Sequence, residues 1–107
     1  MKMVRFRKGH IEVNRDEIKR LFENHPKWFN YQAMLIEIYL LTDKQHIATV
    51  KHSLMTKYWH LSPRGYADFL NFLKANGVIE YTSKKTKTNG KSDVLYTITI
   101  PEETIRR

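Results

Sequence analysis

Apolar positions along the chain change period from segment to segment, and the changes divide it into elements. Residues 3–13, MVRFRKGHIEV, alternate around Gly9 and predict a strand or an extended arm. NRDEIKRLFEN follows. Ile18, Leu21 and Phe22 share one helical face, and Asn14 with Glu17 forms a reciprocal capping arrangement, which predicts a helix over about 15–24. His25-Pro26 ends it, because a proline disfavours helical geometry in the residue before it. Asn30 is placed to cap the next segment, YQAMLIEIYLLTD, where Tyr31, Met34, Leu35, Ile38 and Leu41 are joined by apolar Ile36, Tyr39 and Leu40. That stripe is too wide for a one-sided helix; the segment is either a central core helix or one with a second apolar face against another subunit. HIATV, residues 46–50, suits a short strand, and Val50, Leu54, Met55 and Tyr58 suit a helix of about three turns.

The clearest pattern is LSPRGYADFLNFLKANGVIEY. Ser62 is a good cap, Pro63 would stand at the first helical position, and Tyr66, Phe69, Leu70 and Leu73 recur at helical spacing, so a helix is predicted over 62–76. Gly77 supplies a left-handed stop. VIEYTS and DVLYTITI are strand-forming runs on either side of Asn89-Gly90, a strong hairpin-turn signal, and Pro101 closes the second. The expected organisation is a basic arm over 1–13, one domain over 14–101 containing a hairpin at 79–100, and a charged tail over 102–107. Trp28, Phe29 and Trp59 are expected in the core.

Charge sharpens the picture because of where it lies. The net charge is +8, from 19 Lys and Arg against 11 Asp and Glu. Lys2, Arg5, Arg7 and Lys8 cluster in the arm, and Lys84, Lys85, Lys87 and Lys91 in the run SKKTKTNGKSD at 83–93. Without those eight the chain holds 11 basic and 11 acidic residues. An excess confined to two short segments is the footprint of a polyanion partner. Cysteine is absent, so neither a disulfide framework nor a thiolate metal site is available, and a reducing, cytoplasmic setting is expected. No apolar run approaches membrane-spanning length. The histidines, His10, His25, His46, His52 and His60, lack the spacing of a zinc pair, and no serine stands in a nucleophile elbow. No enzymatic activity, metal or cofactor is expected.

The order helix, short strand, helix, capped helix, glycine, hairpin resembles the winged helix-turn-helix domain, and the resemblance covers roughly residues 30–100. It rests on Leu61-Ser62 opening the third helix, Leu70 and Leu73 within it, and ANGVIEY after it. It implies an α+β fold with a small antiparallel sheet, here with an extra amino-terminal helix. It also implies a duplex-DNA-binding protein whose recognition helix is 62–76 and whose lysine-rich wing is 83–93. Ser62, Arg64, Ala67, Asp68 and Asn71 would face the major groove, with Arg64 on guanine and Asn71 on adenine or a phosphate. Lys74, the four wing lysines and the arm residues Arg5, Arg7 and Lys8 would contact the backbone or minor groove. Gly65 departs from the residue type common at its position and suggests close backbone approach to DNA or to the preceding helix. Asp68 would repel phosphates unless it accepts from a cytosine amino group.

Such a protein is expected to be a homodimer on repeated half-sites, in some settings within a larger nucleoprotein assembly. Its role would be transcription regulation, or marking a plasmid or phage origin for replication, partition or conjugative transfer. Two alternatives use the same core: a protein-interaction module, and an RNA or single-strand binder stacking bases on Tyr81 and Tyr96.

Overall fold

The structure, a computed structural model, describes residues 3–5 and 12–101, with side chains from residue 16 onward. The chain runs β1 (Met3–Arg5), β2 (Glu12–Asn14), α1 (Arg15–Phe22), α2 (Trp28–Leu41), β3 (Ile47–Lys51), α3 (His52–Tyr58), α4 (Gly65–Ala75), β4 (Glu80–Thr88) and β5 (Lys91–Thr99). This is an α+β fold. Its described residues form four helices, a three-stranded antiparallel sheet of order β3-β5-β4 and a separate antiparallel pair, β1-β2. The expected extension at 3–13 therefore holds two short strands, and α1 begins at Arg15, directly after Asn14.

Three helix boundaries differ from the pattern reading. Helix α2 starts at Trp28, ahead of Asn30, and its first turn is prepared by His25 instead: the Lys27 amide donates to His25 Nδ1 at 3.0 Å, and the Trp28 amide to the His25 carbonyl at 3.1 Å. Helix α3 spans 7 residues, about two turns, because Val50 belongs to β3. Helix α4 begins at Gly65, so Ser62 does not cap it and Pro63 is not its first residue. The Gly65 amide donates to the Ser62 carbonyl at 2.9 Å, closing a tight turn in which Pro63 takes the position that its fixed φ suits.

The far end of α4 follows the sequence. Gly77, at φ 73°, lets the Val78 amide reach the Leu73 carbonyl and the Gly77 amide reach the Lys74 carbonyl, each at 3.0 Å. This is a full Schellman stop, and it releases the chain toward β4. Asn89 and Gly90 both have positive φ, 53° and 79°, the signature of a two-residue type I′ turn, and Thr88 pairs directly with Lys91.

The core lies between the helices and one face of the sheet. Met34, Leu35, Ile38, Tyr66, Phe69, Leu70, Leu73, Ile79 and Ile98 have almost no exposed surface, and such side chains each contribute about 1.5–3 kcal/mol by burial. Phe72, which falls off the main stripe of α4, completes an aromatic cluster with Phe22, His25 and Tyr31 and so ties α1 to α2 and α4. Trp59 is half-buried against the core, its indole donating to Glu37 Oε1 at 2.8 Å. Trp28 and Phe29, expected inside, are 49% and 69% exposed. They precede the first buried residue of α2, Tyr31, so they pack edge to face on each other outside the core.

Candidate nucleic-acid interface

Helix α4 buries Gly65, Tyr66, Phe69, Leu70 and Leu73, so the opposite ridge carries Arg64, Asp68 and Asn71, all exposed. Ser62 and Lys74 are exposed beside it and Ala67 is half-buried. A β-carbon on Gly65 would stand 2.9 Å from Leu61 Cβ. Close backbone approach is thus used inside the protein, against the turn before α4, and Gly65 is itself buried. Asp68 lies in the first turn of α4, where a carboxylate is favourable to the helix N-terminus. Its charge also reaches Tyr31, whose hydroxyl pKa is raised first by burial and then by Asp68.

Asn71 is not a free amide. The Tyr81 hydroxyl, carried on β4, donates to Asn71 Oδ1 at 2.6 Å, and the Lys74 ammonium stands over the Tyr81 ring at 5.5 Å. Bidentate reading of adenine needs both the oxygen and the amino group of an asparagine. Tyr81 takes one of the two lone pairs of Oδ1 and so fixes the direction of the amide, with the Nδ2 amino group left as a donor. Tyr81 therefore positions the Asn71 side chain, and strand alternation from Ile79 into β4 was the sequence signal for its inward side.

The lysine-rich run is a ribbon and not a loop: every residue over 83–88 and 91–93 is in a strand, and only Asn89-Gly90 turns. Strand β3 pairs β5 only over Leu95–Thr99, so from the Lys85–Val94 row to the tip the hairpin is two-stranded. Alternation splits its cations. Lys85 and Lys87 share a face with Tyr81, Ser83 and Tyr96, the face turned toward α4; Lys84 and Lys91 lie on the other, with Thr82 and Thr97. All four are exposed. Lys51, passed over in the sequence, joins the outer face in the same row as Leu95 and Lys84.

Asp93 fixes the base of the ribbon. Its carboxylate accepts from the Ser53 hydroxyl at 2.6 Å, the Ser53 amide at 3.1 Å and the Val94 amide at 2.8 Å, and these bonds, the Ser53 hydroxyl first, hold its pKa below the ordinary carboxylate value. The acid inside the lysine run thus holds the ribbon to α3. Beside it, His52 Nδ1 and the Tyr96 hydroxyl lie 2.9 Å apart.

Compared with known proteins, the chain matches no family model, no curated protein and no solved structure.

The aromatics offered for base stacking face inward. Tyr96 is 5% exposed and Tyr81 is half-buried against α4, whereas the open sheet face carries Thr49, Lys51, Thr82, Lys84, Leu95 and Thr97, none of them aromatic. Arg5 pairs with Glu12 through the β1-β2 backbone, and Arg7 and Lys8 lie outside the described residues. Among the described residues no group of His, Cys, Asp or Glu is arranged to hold a metal ion, and no helix is long and apolar enough to cross a membrane.

Proposed function

We propose that this chain is a winged helix-turn-helix protein that binds double-stranded DNA without catalysis, seating the α4 ridge in the major groove and the β4–β5 ribbon on adjacent phosphates. The element order from α2 to β5 and the strand order β3-β5-β4 support the reading. The observation that carries it is the shared side of the two contact elements: Lys85 and Lys87 follow Tyr81 on one face of β4, and Tyr81 holds Asn71 on α4. One duplex can touch both. Arg64 is then the base-reading candidate, while Asn71 and Lys74 are backbone contacts. The sheet has no outward aromatic to stack single strands, which favours a duplex over the RNA reading.

The role proposed is a transcription regulator or an origin-marking accessory factor. The test is fluorescence anisotropy with duplexes selected from a random pool, with single strands as competitors. Duplex binding should be salt-sensitive and lost when Lys84, Lys85, Lys87 and Lys91 are all replaced by alanine. Unchanged affinity of that variant at moderate salt, or preference for single strands, would sink the reading.

A further inference from the structure

Helix α2 presents a second apolar stripe. Its inner face buries Tyr31, Met34, Leu35, Ile38 and Tyr39, while Phe29, Ala33, Ile36 and Leu40 recur at helical spacing along the outer side. Phe29 and Leu40 are 69% and 44% exposed, and Ala33 and Ile36 are half-buried. We infer that this stripe is a self-association surface, whose occupant is the same stripe of a second copy packed antiparallel about a two-fold axis. The inference stands apart from the duplex reading.

Charge selects the occupant. On a chain with net charge +8, α2 carries a single charged residue, Glu37, whose carboxylate accepts from the Trp59 indole at 2.8 Å. A face without cations is where two cationic copies approach without repulsion, and it offers nothing to a polyanion. Helix α2 also has no acid in its first turn and no base in its last, so no charged side chain of its own offsets the dipole at either end. Antiparallel pairing sets each positive end beside a partner's negative end.

The side-chain order fits as well. A two-fold axis at the middle of the stripe places Phe29 against the partner subunit's Leu40, and Ala33 against the partner subunit's Ile36. Each small residue meets a larger one, over a stripe on the order of 16 Å long. Tyr31 on the inner face of α2 packs on Phe69 from the buried face of α4, ring centroids 4.9 Å apart. The outer sides of the two helices therefore point away from each other, and pairing through α2 leaves both α4 ridges open.

Sedimentation velocity of the full chain across a micromolar concentration series tests this. The expected result is a monomer–dimer equilibrium that Phe29→Glu and Leu40→Glu each weaken by at least an order of magnitude, with the far-UV circular dichroism of the folded chain unchanged. The chain has no cysteine, so Ala33→Cys gives a cross-linked dimer with a short bis-maleimide, while Thr82→Cys on the open sheet face does not. A wild-type monomer throughout the series overturns the inference, as does a dimer indifferent to both charge insertions. Flotation of monomeric chain with phosphatidylcholine vesicles, abolished by the same two substitutions, would assign the stripe to a lipid surface instead. Duplex anisotropy on Phe29→Glu separates this inference from the other: loss of dimer with residual duplex binding leaves the interface proposal standing whatever becomes of the DNA reading.

Discussion

Replacing Lys85 and Lys87 together with alanine removes two cations from the ribbon face that shares Tyr81 with α4, and replacing Lys84 and Lys91 removes two from the opposite face. Both pairs change the net charge equally, so a long-range field effect would weaken duplex binding equally. Direct contact would not. Each phosphate contact contributes a slope of about 0.9 to the fall of log affinity with log salt, so losing the inner pair should flatten the slope by about 1.8. Over the decade of salt from about 1 M to about 0.1 M, that is roughly 60-fold, or about 2.5 kcal/mol. The outer pair should flatten the slope by less than about 0.9. The assay is anisotropy of one labelled duplex at several salt concentrations, with circular dichroism showing that the ribbon is intact. An inner pair that leaves the slope unchanged, or two pairs with equal effects, would refute the argument that ribbon and helix meet the same duplex on one side.

Other expectations concern the scaffold. The Tyr66 hydroxyl is fully buried with no hydrogen-bond partner among the described residues, so Tyr66→Phe should raise the unfolding free energy by about 1 kcal/mol in urea titrations; a loss of that size would show that the hydroxyl is satisfied. Gly65→Ala gains about 1 kcal/mol of helix propensity but drives a β-carbon into Leu61, an overpacking cost of about 1–3 kcal/mol, so the variant should melt lower, and a higher melting temperature would contradict the tight turn. The Asp93 carboxyl, held below its ordinary value, contributes stability that is whole above the unfolded pKa near about 3.9 and fades as pH falls through the lower folded value. Asp93→Asn should therefore flatten the acid limb of a stability-versus-pH curve, and an unaltered limb would remove the case for the anchor to Ser53.

What the sequence disclosed and what it hid follow from the range of the forces involved. The type I′ turn at Asn89-Gly90 and the Schellman stop at Gly77 are set by backbone dihedrals that few residues adopt, so a short local stretch suffices to place them. The inward stripe of α4 was equally plain, since Tyr66, Phe69, Leu70 and Leu73 are spaced for one face. Trp28 and Phe29 were misplaced because hydrophobicity gives a preference for burial, while the position of the first buried turn of α2 decides whether burial is available. The start of α2 was hidden for a related reason: His25 supplies the acceptor through its ring, a role that propensity assigns to residues such as Asn30. The site was legible as a set of exposed cations and illegible as geometry. Nothing local announces that Asn71 is held by Tyr81, that Asp93 reaches Ser53, or that four adjacent lysines divide between two faces.

Among the described residues the strand order leaves β4 with one neighbour, β5, and therefore with a free edge along its 9 residues. An unprotected margin of that length is an invitation to strand addition by other chains, and lysines are among the devices by which natural sheets decline it. Lys84, Lys85 and Lys87 therefore also guard against intermolecular stacking. Alanine in their place should leave a chain that clouds at concentrations the wild type tolerates, with or without a polyanion present.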